Sequence, residues 1–195
     1  MFYDPYVKPR ELNQLNEGGF AKSKIAEHAL FTLLANTYNL DAHVNSKMEY
    51  DPTGDGEING ILCEIKFSSV GKGNEGYPIF FETHSKDGYP SALLLTHSRY
   101  YLTVTPGYSH QLLKVIGKIR CWPVSYLLQL EKQLPKEQVH GGRVAGFYIK
   151  PKDHPCQVWL GDVPFNNLTF DLNSIIIKQK PEIVHQIFQK RNPTK

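Results

Sequence analysis

The sequence predicts an α/β or α+β protein in which helices pack against a central mixed β-sheet, and three observations carry that reading. From Phe20 to Asn36, Ala26, Ala29, Leu30, Leu33 and Leu34 recur at the spacing of one helix face. The dipeptide Asn59-Gly60 then stands between two runs of strand-forming residues, the strongest short-range hairpin signal. Short β-branched and aromatic runs follow, interleaved with helical patterns, which is the alternation of a layered sheet-and-helix domain.

Element by element, Ser23 is placed to cap the first helix with Glu27 soon after it, and residues 41 to 54 hold few apolar side chains and read as a loop through Asp51-Pro52-Thr53-Gly54. The hairpin pairs Asp55-Gly56-Glu57-Ile58 with Ile61 to Phe67. Beyond a linker containing Gly71, Gly73 and Gly76, the runs Tyr77 to Glu82, Ala92 to Thr96 and Tyr100 to Thr105 read as strands. Leu112 to Cys121 fits either strand or helix. Pro123 opens a helix carrying Val124, Leu127, Leu128 and Leu130, since proline suits a first helical position. Val144 to Ile149 and Gln157 to Leu160 read as strands, and Pro181 to Lys190 as a helix with Ile183, Ile187 and Phe188 inward.

A chain of 195 residues suits one domain, residues 1–195, able to bury a core without staples. The longest aliphatic runs, Ala92 to Leu95 and Ile175 to Ile177, fall far short of the ~20 residues that cross a bilayer. No membrane contact is expected. Met1 to Pro5 lack the basic and apolar segments of a secretory signal, which sets the expectation of a cytoplasmic compartment. Cys63, Cys121 and Cys156 form no CxxC pair and read as reduced thiols. The net charge of +3 conceals an asymmetry, because residues 178 to 195 hold five Lys/Arg against one Glu. A basic footprint on an anionic partner is expected there, although a solvated polar tail reads the same way.

The hairpin concentrates the chemistry. A two-residue turn pairs Ile58 with Ile61, Glu57 with Leu62, Gly56 with Cys63 and Asp55 with Glu64. Side chains alternate, so Asp55, Glu57, Leu62, Glu64 and Lys66 share one face, and Ile58, Ile61, Cys63, Ile65 and Phe67 the other. Two like charges on neighbouring strands repel, and a hard cation between Asp55 and Glu64 resolves the repulsion. Mg2+ or Mn2+ suits two carboxylates plus water. Lys66 then stands beside that ion as a fixed ammonium, placed to orient an attacking water or stabilise phosphorane charge. The competing reading is an exposed charged strand face with Glu64 and Lys66 paired diagonally in solvent.

Read as D-x8-E-x-K, Asp55 to Lys66 resembles the core motif of the PD-(D/E)XK nuclease superfamily, with Glu27 on a preceding helix where many members carry an additional acid. The run Phe80-Phe81-Glu82, then Gly88-Tyr89-Pro90-Ser91-Ala92-Leu93 and Thr96, is similar to a phage and prokaryotic subset of that superfamily. The resemblance spans about residues 24 to 105. It implies a restriction-endonuclease-like core over about 20–105, with residues 106–195 adding strands and helices. The implied activity is Mg2+-dependent hydrolysis of DNA phosphodiester bonds, of a restriction, repair or junction-resolving kind, in the cytoplasm of a prokaryotic or phage-infected cell. Mn2+ substitutes for Mg2+ in this reading. Asp55, Glu64 and the Ile65 carbonyl would hold the metal, Lys66 would act on the water, and Glu27 would assist. The partner would be duplex or branched DNA, engaged by a homodimer where both strands are cut. Pro52 lies three positions before Asp55, so Asp51 and Glu57 remain rival first acids, and Ala92 and Ser98-Arg99 depart from the subset's pattern.

Other chemistry is less well marked. The eight His residues form no HxxxH or HxH pair, Cys63 falls on the apolar face, and neither Gly54-Asp55-Gly56 nor Gly71-Lys72-Gly73 has phosphate-loop spacing. The 21 Tyr and Phe residues read more readily as core than as a stacking platform, with Tyr100 and Tyr101, on a strand, the pair that could instead face DNA. A catalytically inactive nucleic-acid-binding protein on the same fold is the alternative function, against which the intact Asp55, Glu64 and Lys66 argue. A metal-independent interaction domain requires the hairpin itself to be wrong.

Overall fold

The computed structural model describes residues 20–45, 54–67, 78–85, 87–109, 114–139, 141–142, 144–155, 157–166 and 169–189. Asp51, Pro52, Cys156 and the glycine-rich linker lie outside them. Helix α1 (Phe20–Tyr38) turns Leu30, Phe31, Leu34 and Tyr38 inward along one stripe. It stops where Asn39 adopts φ 51° and Leu40 N–H reaches back to the Ala35 carbonyl (3.1 Å), a Schellman-type end with buried Leu40 as its apolar clasp. Ser23 therefore lies inside the helix rather than capping it.

Strand β1 (Ala42–Val44) pairs with β2 (Gly56–Ile58), and β2 with β3 (Ile61–Phe67), both antiparallel. The turn between β2 and β3 has φ 52° at Asn59 and 71° at Gly60, the two positive values that a hairpin matching strand twist requires. Asn59 also ties the turn down: its Oδ1 accepts from Asp41 N–H at 2.9 Å, and its Nδ2 donates to the Phe188 carbonyl at 3.2 Å. Strand β5 (Tyr100–Ser109) lies parallel to β3, and β6 (Lys114–Pro123) and β9 (Val158–Asn166) continue antiparallel. Two-residue strands β10 (Thr169–Phe170) and β11 (Ile176–Ile177) both pair with β9. Among the described residues this sheet has eight strands, with both halves of the chain contributing.

Strand β4 (Ile79–Ser85) leaves that sheet and pairs with β8 (Val144–Ile149), which pairs with β7 (Glu137–Val139). The fold is thus α/β with a mixed main sheet and a small second sheet. One core packs Leu30, Phe31 and Leu34 of α1, and Val184 and Phe188 at the end of α4 (Pro181–Ile187), against Ile58, Ile61, Cys63, Leu102 and Ile119. A second core joins Tyr101 and Trp122 of the main sheet to Phe81 and Phe147 of the small sheet and to Leu127 of α3 (Val124–Gln133). No helix among the described residues is long and apolar enough to cross a membrane.

Several expectations change. Ala92 to Thr96 forms a short helix, α2 (Ala92–Leu95), because Ser91 leaves extended backbone there and Ala-Leu-Leu-Leu has no alternation to hold it in a sheet. Of residues 112 to 121, those from 114 on belong to strand β6, and 112 and 113 lie outside the described residues. The reading of 41 to 54 as loop missed β1, whose three residues carry no sequence period. In α4, Val184 rather than Ile183 is fully buried beside Phe188.

Gly56 marks where α1 meets the hairpin, since a Cβ there would lie 2.9 Å from Phe31 Cζ and also strike the His43 carbonyl. Gly56→Ala should cost about 1–3 kcal/mol through overpacking. A thermal melt several degrees below wild type is the expected readout; an unchanged melt would mean the helix does not seat on the hairpin this closely.

Candidate active site

The hairpin register agrees with the sequence reading up to Gly56 opposite Cys63, and departs from it one residue later. Asp55 N–H donates to the Cys63 carbonyl at 2.9 Å, and Ile65 N–H donates to Asp55 Oδ2 at 2.7 Å. The aspartate carboxylate therefore replaces a backbone carbonyl as the ladder's next acceptor. Asp55 and Glu64 are not the regular cross-strand pair that the turn length predicts, yet the Asp55 carboxylate lies against the Glu64–Ile65 peptide. Asn45 braces this corner, its N–H donating to the Asp55 carbonyl at 2.8 Å and its Nδ2 to the Gly54 carbonyl at 3.2 Å. Gly54 has φ 88°, and a Cβ on it would meet Ser98 Oγ and the Cys63 carbonyl, so only glycine fits that turn.

Alternation on β3 sends Cys63 and Ile65 into the α1 core, and Glu64 and Lys66 to the opposite face. Glu64 is only 8% exposed, which excludes a strand face bathed in solvent. A carboxylate so buried is costly unless cations or donors surround it. Thr96 Oγ1 lies 3.4 Å from Glu64 Oε2, at the long limit of a hydrogen bond, and itself accepts from Ser98 N–H at 3.1 Å. Burial pushes the Lys66 ammonium below the ordinary lysine range, and the charges of Glu82 and then Glu64 oppose that shift. Lys66 therefore sits in the field of two carboxylates.

Glu82 and Thr96 are the residues near this corner that the sequence reading does not single out as site residues. Their placement follows from tertiary packing that no local pattern carries. Ser91 Oγ donates to the Glu82 carbonyl, and Ser91 N–H donates to the Thr83 carbonyl at 2.7 Å, so the Pro90-Ser91 turn holds β4 and α2 together beside β3.

Glu27 is 5% exposed and lies one helical turn before Phe31, the ring seated over Gly56. It shares the sheet-facing stripe of α1. Glu57 pairs with Leu62 and His43, one step nearer the turn, so of Asp55 and Glu57 it is Asp55 that reaches the Glu64–Ile65 peptide. Cys63 is fully buried, and burial followed by the charges of Asp55, Glu57 and Glu64 pushes its thiol far up, which leaves it no nucleophilic form. Tyr101 is 5% exposed in the second core, and half-buried Tyr100 packs edge-on to Phe188 at 5.9 Å, so both follow the core reading of the aromatics rather than facing DNA.

Among the described residues, no group of three or more His, Cys, Asp or Glu side chains is placed to hold one metal ion. No family model, curated protein or solved structure matches this chain.

Proposed function

We propose that this chain is a metal-dependent endonuclease that hydrolyses DNA phosphodiester bonds on a restriction-endonuclease-like core. The observation that carries the reading is the corner of β2 and β3, where Glu64 is buried, the Asp55 carboxylate accepts from Ile65 N–H, and half-buried Lys66 lies in the field of Glu82 and Glu64. Evolution of a purely structural strand has little use for a carboxylate and an ammonium both withdrawn from water, whereas a site that must position charge does.

Asp55, Glu64 and the Ile65 carbonyl make an all-oxygen donor set with two negative charges, which fits Mg2+ or Mn2+, ions that keep several waters. When bound, such an ion polarises a phosphoryl oxygen and acidifies a water. The chain's own residues do the rest. Lys66, in the field of Glu82 and Glu64, orients the attacking water and offsets the charge that grows on the phosphoryl group. Thr96 fixes the rotamer of Glu64, and Asn45 and Gly54 fix the backbone from which Asp55 projects. Glu27 lies on the α1 side of the sheet, across from Glu64 and Lys66, and so stands outside this donor set.

In a panel of labelled linear, branched and single-stranded DNA incubated with Mg2+, at least one substrate should be cut, with EDTA abolishing cleavage. Metal-independent binding without cleavage of any of them would sink the enzymatic reading and favour the noncatalytic nucleic-acid-binding alternative.

A further inference from the structure

The face that carries Lys66 continues across the main sheet into a second charged cluster. Lys66 pairs with Thr103, Thr103 with Arg120, and Arg120 with Trp159, so these four side chains stand on one rung and one face. Three strand spacings separate the ends, roughly 14 Å. On the adjacent rung Lys118 pairs with Asp162.

Asp162 is 3% exposed and accepts from Lys118 Nζ at 2.8 Å and from Lys178 Nζ at 2.6 Å. Burial alone would raise its pKa, but the hydrogen bonds and charges of the two lysines outweigh burial and hold it below the usual carboxylate value. Arg120 donates to Thr105 Oγ1 at 2.8 Å, and burial, opposed by Asp162, brings its guanidinium down only to about 10. Near neutral pH three cations thus stand against one carboxylate. The buried anion serves to fix the lysines, not to cancel them.

The lysines frame an exposed ring. Trp159 is 40% exposed, with Lys118 Nζ at 5.0 Å and Lys178 Nζ at 5.8 Å from its centroid. Its orientation is fixed, since Nε1–H donates to the Gly161 carbonyl at 2.8 Å and Gln179 Nε2 donates to the Trp159 carbonyl at 3.0 Å. A protein gains nothing in stability from leaving an indole half in water. A rigid aromatic collared by surplus cations is the recognition element for an unpaired nucleotide strand, whose bases offer free π-faces and whose phosphates seek cations. Duplex bases are already stacked and cannot use it.

We infer that Trp159, Lys118 and Lys178 form a binding strip for an unpaired nucleic-acid strand, on the sheet face that also carries Lys66 but separated from it by buried Thr103. The choice of a nucleic acid as the polyanion rests on the endonuclease reading. Within that reading the strip narrows the substrate to DNA with a single-stranded segment, such as a flap or an open branch.

The test uses the full chain in EDTA, with a fluorescein-labelled oligo(dT) of about 20 nucleotides and a blunt duplex of equal length. Trp159→Ala should weaken oligo(dT) binding about tenfold or more and leave duplex binding nearly unchanged, while Trp159→Phe keeps most of the affinity. The chain has two tryptophans and Trp122 is fully buried, so oligo(dT) should quench a fluorescence that Trp159→Phe lacks. Lys118→Gln with Lys178→Gln should lower the salt dependence of binding, in log–log slope, by roughly 0.7 for each phosphate that is no longer neutralised. Equal oligo(dT) affinity of wild type and both Trp159 variants, or an equal loss on duplex, overturns the strip. Trp159-dependent binding by a protein that cleaves nothing would keep the strip and sink the nuclease. Cleavage with no dependence of binding on Trp159 would do the reverse.

Discussion

Lys66→Ala is expected to slow single-turnover DNA cleavage by about a hundredfold or more while leaving divalent-metal affinity nearly unchanged. An ammonium cannot be a metal ligand, so the ion's affinity rests on Asp55 and Glu64. What the variant loses is a fixed cation at the reacting phosphate, and removal of one such preorganised group typically costs two to three orders of magnitude. Stability should change little, because burial already disfavours the charged lysine and Glu82 and Glu64 only offset that cost. Glu64→Ala differs, since it removes a ligand and should abolish metal binding and cleavage together. Glu27→Ala should fall between the two if it acts from outside the ligand set. Cleavage by Lys66→Ala at the wild-type rate would remove the mechanism.

The largest loss of stability is expected at Phe81. Its ring stacks on Phe147 at 5.7 Å and meets Tyr101 at 5.8 Å and Trp122 at 6.0 Å edge-on, so one side chain joins the small sheet to the main sheet. Phe81→Ala should cost about 3–5 kcal/mol, the transfer term plus a cavity into which the surrounding rings cannot collapse. For a chain of this length each kcal/mol moves the melting temperature by roughly 2–4 °C, so the expected fall is about 10 °C. Tyr148→Ala is the contrast, because that ring is 37% exposed and touches Phe80 from outside; it should cost less than about 1 kcal/mol. Paired thermal melts test this, and similar losses in the two variants would mean that the layers do not meet through Phe81. Glu82, whose charge acts on Lys66, directly follows Phe81, so the same cavity should also disturb the site at temperatures well below the melt.

Much of the hairpin was legible because its determinants are local. Asn59-Gly60 selects the turn, the turn selects the register, and alternation separates Cys63 and Ile65 from Glu64 and Lys66. Legibility ended at Asp55, where a carboxylate competes with the backbone as the acceptor for Ile65 N–H and breaks the rung that turn length alone predicts. Strands β1 and β7 have three residues each, too short for any period to show, and exist because β2 and β8 offer them an edge. The Ala92–Leu95 run was misread for the related reason that four apolar residues distinguish neither strand nor helix. Of the site, Asp55, Glu64 and Lys66 are drawn together by neighbouring segments, whereas Glu82 and Thr96 reach it through tertiary packing and had no local signature. Trp159 has no signature within its short strand pattern, whereas Tyr100 and Tyr101 are drawn inward by the two cores, as their residue type favours.

If the proposed function is right, the corner of β2 and β3 holds a divalent ion between Asp55 and Glu64. Calorimetric titration of Mn2+ into the full chain, beside an Asp55→Ala/Glu64→Ala double variant shown to be folded, tests it most directly. Wild type should bind the ion and gain melting temperature with it, since only the folded hairpin brings both carboxylates to one peptide, and the double variant should do neither. Equal binding by the two proteins would contradict the assignment.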